Sequence, residues 1–136
     1  MPCSQSSKSK SRAANMPHFI VEFSNNLPEN ALDIPTLLET LTATAVNTGL
    51  FPEAGIRARA YRADYQHVGE GDAANGFVHI TMNVGQGRSE QDRKKAGERI
   101  FEALKNHMEP LLETQKIALS FEMREINSVM FNFKNT

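Results

Sequence analysis

Apolar and polar positions along this chain switch between two periods, and the switches mark its elements. Residues 17–24, Pro-His-Phe-Ile-Val-Glu-Phe-Ser, are rich in β-branched and aromatic side chains, with Asn25, Asn26 and Pro28 after them. That pattern predicts a mostly buried strand closed by a turn. The period then lengthens. Ile34, Leu37, Leu38, Leu41 and Ala45 share one helical face. Asp33 supplies an N-cap, Pro35 fits the first turn, Gly49 suits the C-cap, and Pro52 bars continuation. A period of two returns over 55–65, where Ile56, Ala58 and Ala60 alternate with Arg57, Arg59 and Tyr61. Gly69, Gly71, Asp72 and Asn75 mark a loop. Residues 77–84 predict a third strand and 85–88 a turn. Ser89, with Asp92 three positions on, opens a second helix through an acidic form of the capping box. Its apolar stripe is Ala96, Ile100, Leu104, Met108, Leu111 and Leu112, and Pro110 predicts an end or kink near 107–109. Residues 117–123 predict a fourth strand, and 129–133 form a short alternating apolar segment.

The order β-α-β, repeated once, predicts an α+β domain over residues 17–136. Two βαβ units form one four-stranded mixed sheet with both helices on one face. Right-handed crossovers make the strands within each unit parallel. The uncovered face is expected to carry apolar side chains, from the Phe19/Val21/Phe23 set or the His18/Ile20 set. It must meet water or another subunit, and an oligomer is expected.

Composition narrows the function classes. The chain has 136 residues, 40% hydrophobic and 23% charged, with no run near the ~18 apolar residues of a membrane-spanning helix. A formal charge of −1 exerts no global pull toward nucleic acid or acidic membranes. One cysteine, Cys3, excludes a disulfide framework and a cysteine-rich zinc site, and a reducing cytoplasm is the simplest setting. The charge is unevenly spread. Residues 1–16 hold Lys8, Lys10 and Arg12 and no acid, leaving −4 for 17–136. Five serines and almost nothing apolar make that segment an expected disordered extension or upstream-start tail.

Most chemistry-bearing side chains lack a pattern. His18, His67, His79 and His107 form no i,i+4 pair, so no metal site is expected. Ser24, Ser89, Ser120 and Ser128 lack a nucleophile-elbow glycine pattern. Residues 85–88, Gly-Gln-Gly-Arg, lack the Lys-Ser/Thr ending of a phosphate loop. Met82, Met108, Met123 and Met130 read as core filler. Glu22 and Glu122 occupy similar strands in the two halves, as acid–base groups or as outward-facing charges. Arg57 opens a strand, and Arg88 lies in a glycine-rich turn. Each is a surface charge or a fork for a carboxylate.

Met16-Pro17 is the remaining feature. Translation from Met16, followed by trimming of the methionine, leaves Pro17 as a free secondary amine. An α-amine titrates at about 7.7–8.0, and nearby arginines and burial lower that value. Such a group is a usable base at neutral pH. Met1-Pro2 is a second pair of this kind, at the end of a polar tail with nothing to fix it.

These segments carry a resemblance. Pro17-His-Phe-Ile-Val-Glu-Phe-Ser24, Thr48-Gly-Leu-Phe-Pro-Glu-Ala-Gly-Ile-Arg57-Ala-Arg59, Phe77-Val-His79, Gly85-Gln-Gly-Arg88-Ser89 and Ala118-Leu-Ser-Phe-Glu122 stand in order. Together they resemble the 5-carboxymethyl-2-hydroxymuconate Δ-isomerase family of the tautomerase superfamily. The resemblance implies a homotrimer and a catalytic amino-terminal proline, Pro17. It implies that Arg57 and Arg88 bind carboxylates and stabilise a dienolate, with no metal or organic cofactor. The implied substrate is a small polycarboxylate dienol from homoprotocatechuate breakdown, and neither nucleic acid nor membrane is a partner. The alternatives are a related tautomerase acting on another 2-hydroxydienoate, or a non-catalytic trimeric binding protein if residues 1–16 are retained.

Overall fold

The computed structural model describes residues 17–127 and 129–135. The expected disorder of residues 1–16 lies outside them. In chain order the elements are β1 (His18–Phe23), α1 (Glu29–Leu32), α2 (Ile34–Asn47), a 3-10 turn (Glu53–Gly55), β2 (Arg57–Arg62), β3 (Asn75–Val84), α3 (Glu90–Leu112) and β4 (Lys116–Glu125). The sheet order is β2-β1-β3-β4. β1 runs parallel to β2, β3 parallel to β4, and the central β1/β3 pair is antiparallel. Each parallel pair needs a crossover, which α2 and α3 supply. This is the mixed sheet expected from the repeated β-α-β order.

Both long helices start where the capping residues predict. The Asp33 carboxylate accepts from the Thr36 N–H at 3.4 Å, and Ser89 Oγ accepts from the Asp92 N–H at 3.0 Å. Such caps are worth ~1 kcal/mol each. Asp33 has φ +46°, because it also terminates α1, a single turn with no apolar period to announce it.

Alternation sorts the strand side chains. Phe19, Val21 and Phe23 of β1 and Val78, Ile80, Met82 and Val84 of β3 are buried beneath the helices. Leu37, Leu41 and Ala45 of α2 and Ala96, Ile100, Leu104, Met108 and Leu111 of α3 close over them. Fully burying a Leu, Ile or Phe side chain contributes roughly 1.5–3 kcal/mol, so this layer dominates stability.

The structure settles one open choice, placing the His18/Ile20 set on the uncovered face, and changes three expectations. The uncovered face is mainly polar: register rows across the sheet read Arg57/His18/Asn83/Arg124, Arg59/Ile20/Thr81/Glu122 and Tyr61/Glu22/His79/Ser120. Its apolar members are mainly Ile20, Phe77 and Ala118, since the helices take the large side chains of the opposite face. α3 continues through Pro110 to Leu112, because Pro110 lies in the exposed last turn while Met108 and Leu111 are buried beside it. Water can satisfy the carbonyl that proline leaves unbonded there. Leu112 falls off the buried stripe. Finally, the alternating apolar segment 129–133 leaves Val129, Met130, Phe131 and Phe133 exposed, so Met130 is not core filler.

Candidate active site

Pro17 is buried at the head of β1, and its carbonyl accepts the Arg57 N–H at 3.0 Å. That bond extends the parallel β1/β2 ladder and sets the start of β2 beside Pro17. On the other side, the antiparallel pair His18↔Asn83 brings the end of β3 to the same place. The turn 85–88 and the first turn of α3 follow directly. Pro17, Arg57 and Arg88 therefore belong to one end of the sheet, as their spacing in sequence alone does not reveal.

The two predicted arginines are held differently. Arg57 Nη1 donates to the Gly55 carbonyl at 3.1 Å. Arg88 is gripped more firmly. Its Nε and Nη2 donate to the Leu50 carbonyl at 3.3 and 3.2 Å, and Nη1 donates to the Gly85 carbonyl at 3.0 Å. Its guanidinium also lies 4.5 Å from the centre of the Phe51 ring. Partial burial lowers the Arg88 pKa, and the charge of Glu125 opposes the shift. Arg88 thus ties the loop after α2 to the turn before α3 and presents a cation at the same time.

Sequence reasoning missed Arg59 and His18 as site members. Arg59 Nη1 lies 3.0 Å from His18 Nδ1. Burial lowers the His18 pKa, and the charges of Arg59 and Arg57 lower it further. The neutral ring therefore accepts from Arg59 at Nδ1 and carries its proton on Nε2. Among the described residues, neither Arg57 nor Arg59 forms an ion pair with a carboxylate. The signal was the alternation Arg57-Ala-Arg59, which puts both guanidinium groups on one face.

The other candidates lie elsewhere. His79 bonds Ser120 Oγ at 2.6 Å in the middle of the open face, and His107 Nε2 lies 2.6 Å from the Leu32 carbonyl. Glu22 and Glu122 are exposed, with Glu122 3.8 Å from Arg124. Ser24 is buried, and its Oγ accepts the Phe77 N–H at 2.9 Å. Ser89 serves as the cap, and Ser128 lies outside the described residues. Among the described residues, no three His, Cys, Asp or Glu side chains cluster as metal ligands would.

Comparison with known proteins gives these features a setting. The family model for 5-carboxymethyl-2-hydroxymuconate isomerase matches residues 17–136, beginning at Pro17. The 5-carboxymethyl-2-hydroxymuconate Delta-isomerase of Escherichia coli is 44% identical over 119 residues, covering 88% of this chain and 93% of that protein. The crystal structure of a 5-carboxymethyl-2-hydroxymuconate isomerase from Deinococcus radiodurans R1 is similar at a TM-score of 0.79 and 32% identity, covering 88% of this chain and 92% of the other. A second solved 5-carboxymethyl-2-hydroxymuconate delta-isomerase gives a TM-score of 0.84 at 27% identity, covering 90% and 91% of the two chains. The two βαβ units and one-sided helix layer are the tautomerase-like fold. This chain belongs to the 5-carboxymethyl-2-hydroxymuconate isomerase family.

Proposed function

We propose that this isomerase moves a proton along 5-carboxymethyl-2-hydroxymuconate, a conjugated 2-hydroxydienoate of homoprotocatechuate degradation, with the Pro17 amine as the shuttle. The amine takes the enol proton. The O–H electron pair becomes the carbonyl π bond, and the conjugated double bonds shift along the chain. The resulting prolinium returns the proton to a distant carbon, forming the new C–H bond. Arg57 and Arg88 bind carboxylates and stabilise the dienolate between the two transfers, an electrostatic role set before the reaction begins. Every step is supplied by side chains and one amine, and the reaction needs no redox change.

The observation that carries this reading is the meeting of Pro17, Arg57 and the Arg88 turn at one end of the sheet. The family match starting at Pro17 supports it. In the 136-residue chain, Met16 acylates that nitrogen, and an amide lone pair delocalised into the peptide bond is no base. The reading therefore requires initiation at Met16 and removal of the methionine. Turnover of a 5-carboxymethyl-2-hydroxymuconate substrate, followed by ultraviolet absorbance, tests it in two forms of confirmed intact mass. The form beginning at Pro17 should exceed the full chain by ~10²–10⁴-fold, the contribution of positioned acid–base catalysis. Equal turnover would show that Pro17 is not the base.

Three copies assemble, in this proposal, with their open sheet faces toward the centre. The half-buried apolar side chains of Ile20 and Phe77 on that face and the exposed side chains of Val129, Phe131 and Phe133 favour association. A stable 15.2 kDa species in sedimentation at micromolar concentration would contradict the trimer. The single cysteine suits a cytoplasmic setting, and among the described residues no helix is long and apolar enough to cross a membrane.

A further inference from the structure

The open face carries a second guanidinium at the Pro17 end that the proton shuttle does not use. Arg59 stands on β2 opposite Ile20, one register row farther from the sheet end than Arg57. Of the carboxylates on that face, Glu22 lies on the adjacent strand one register row on, while Glu122 lies at the opposite sheet edge, 3.8 Å from Arg124. Arg59 pairs with neither. Its Nη1 instead meets His18 Nδ1 at 3.0 Å, on the residue that follows Pro17. The remaining N–H groups of Arg59 have no partner among the described residues.

Two guanidinium groups thus flank one neutral imidazole with no carboxylate between them. Both charges act on the same ring, and like charges held together repel unless an anion intervenes. A structural arginine at this position would pair with Glu22, the carboxylate within reach on the adjacent strand. One that turns toward the catalytic end and keeps most of its fork unbonded is arranged for a planar anion.

The substrate chemistry supplies such an anion. Resting on the reading of the preceding subsection, 5-carboxymethyl-2-hydroxymuconate has two muconate carboxylates and a third on its carboxymethyl arm. Arg57 and Arg88 account for two forks. We propose that Arg59, oriented by His18, binds the third carboxylate and so selects the carboxymethyl-bearing dienol over 2-hydroxymuconate. Arg59 is then a specificity residue, and His18 is a positioning residue that holds one edge of its guanidinium.

Arg59→Gln and Arg59→Lys test this with paired substrates, the tricarboxylate dienol and 2-hydroxymuconate. Arg59→Gln should lower the ratio of kcat/KM for the tricarboxylate over the dicarboxylate by roughly tenfold to 150-fold, the range of one charge-assisted contact. Arg59→Lys should restore part of the ratio, since a lysine keeps the charge but not the fork. An unchanged ratio in Arg59→Gln would overturn the assignment, whether both rates fall together or neither falls. Calorimetric binding to the full chain provides the second arm, with saturated analogues of the two substrates as probes. A preference for the saturated tricarboxylate that Arg59→Gln abolishes supports the subsite even if neither dienol is turned over, an outcome that would sink the isomerase reading alone. Equal binding of the two analogues by the unsubstituted chain would overturn the subsite.

Discussion

The two ends of the sheet use polar side chains in opposite ways. At the far end, where β1 finishes and β3 begins, neutral amides satisfy the backbone of the 63–75 loop. Asn25 Nδ2 donates to the Ala63 and Asp64 carbonyls, each at 3.1 Å, and Gln66 Oε1 accepts the Asn25 N–H at 2.8 Å. Asn26 Nδ2 donates to the carbonyls of Ala73 at 2.9 Å and Asn75 at 2.7 Å. A polar cleft of ≈ 230 Å³ lies among these residues, and amides committed to the backbone line it. At the Pro17 end the side chains that β2 places beside Pro17 are cations, and Glu125 lies on the far edge strand beside Arg93. The guanidinium groups of Arg57 and Arg59 make one hydrogen bond each, 3.1 and 3.0 Å, to neutral partners, with no carboxylate counter-ion among the described residues. Bonds between neutral groups close a loop and leave little for a ligand. Uncompensated charge stabilises the fold poorly and favours an anionic partner. A cleft is therefore a weaker guide to this protein's chemistry than an unbalanced cluster of charge.

Substitutions at the two ends should separate activity from stability. The largest effect is expected at the arginines. Arg57→Ala should lower kcat/KM by roughly tenfold to 150-fold with little change in melting temperature, as one charge-assisted contact is lost. Arg88→Ala should lose activity on the same scale and melt earlier as well, because its bonds to Leu50 and Gly85 and its contact with Phe51 disappear. Full activity in both variants would remove the carboxylate-binding role.

Smaller, and of the opposite kind, are the changes at the amide end. Asn25→Ala and Asn26→Ala should each cost about 1–3 kcal/mol in denaturant unfolding, the sum of two lost hydrogen bonds, with kcat/KM unaltered. Gly76→Ala belongs with them, since its Cβ would stand 2.9 Å from Leu27 Cδ2 and 3.0 Å from Ser24 Oγ. A loss of turnover without a loss of stability in these variants would erase the contrast between the ends.

The strands and both long helices were legible because each has one buried face, and burial imposes a period on the sequence. The caps at Asp33 and Ser89 were legible because capping is local. α1 was not, since four residues are too few to display a period. Pro110 does not end α3 near 107–109, because its cost depends on which side of the helix meets water. Pro17, Arg57 and Arg88 were singled out by residue type, position and resemblance, and the fold adds that they share a sheet end. The grip of Leu50 and Phe51 on Arg88 has no local signature. Nor does the Arg59–His18 bond, which depends on strand register across 41 positions of chain.

The central claim is that the cations at this end act on the amine of Pro17, and NMR of an isotopically labelled proline nitrogen tests it most directly. In the form beginning at Pro17, that nitrogen should titrate with a midpoint below the ordinary α-amine range of about 7.7–8.0, because nearby positive charge disfavours the prolinium. Arg57→Ala removes such a charge, so the midpoint should rise toward the ordinary range. A midpoint that Arg57→Ala leaves unmoved would contradict the claim, and so would a proline nitrogen that does not titrate between acid and alkaline pH.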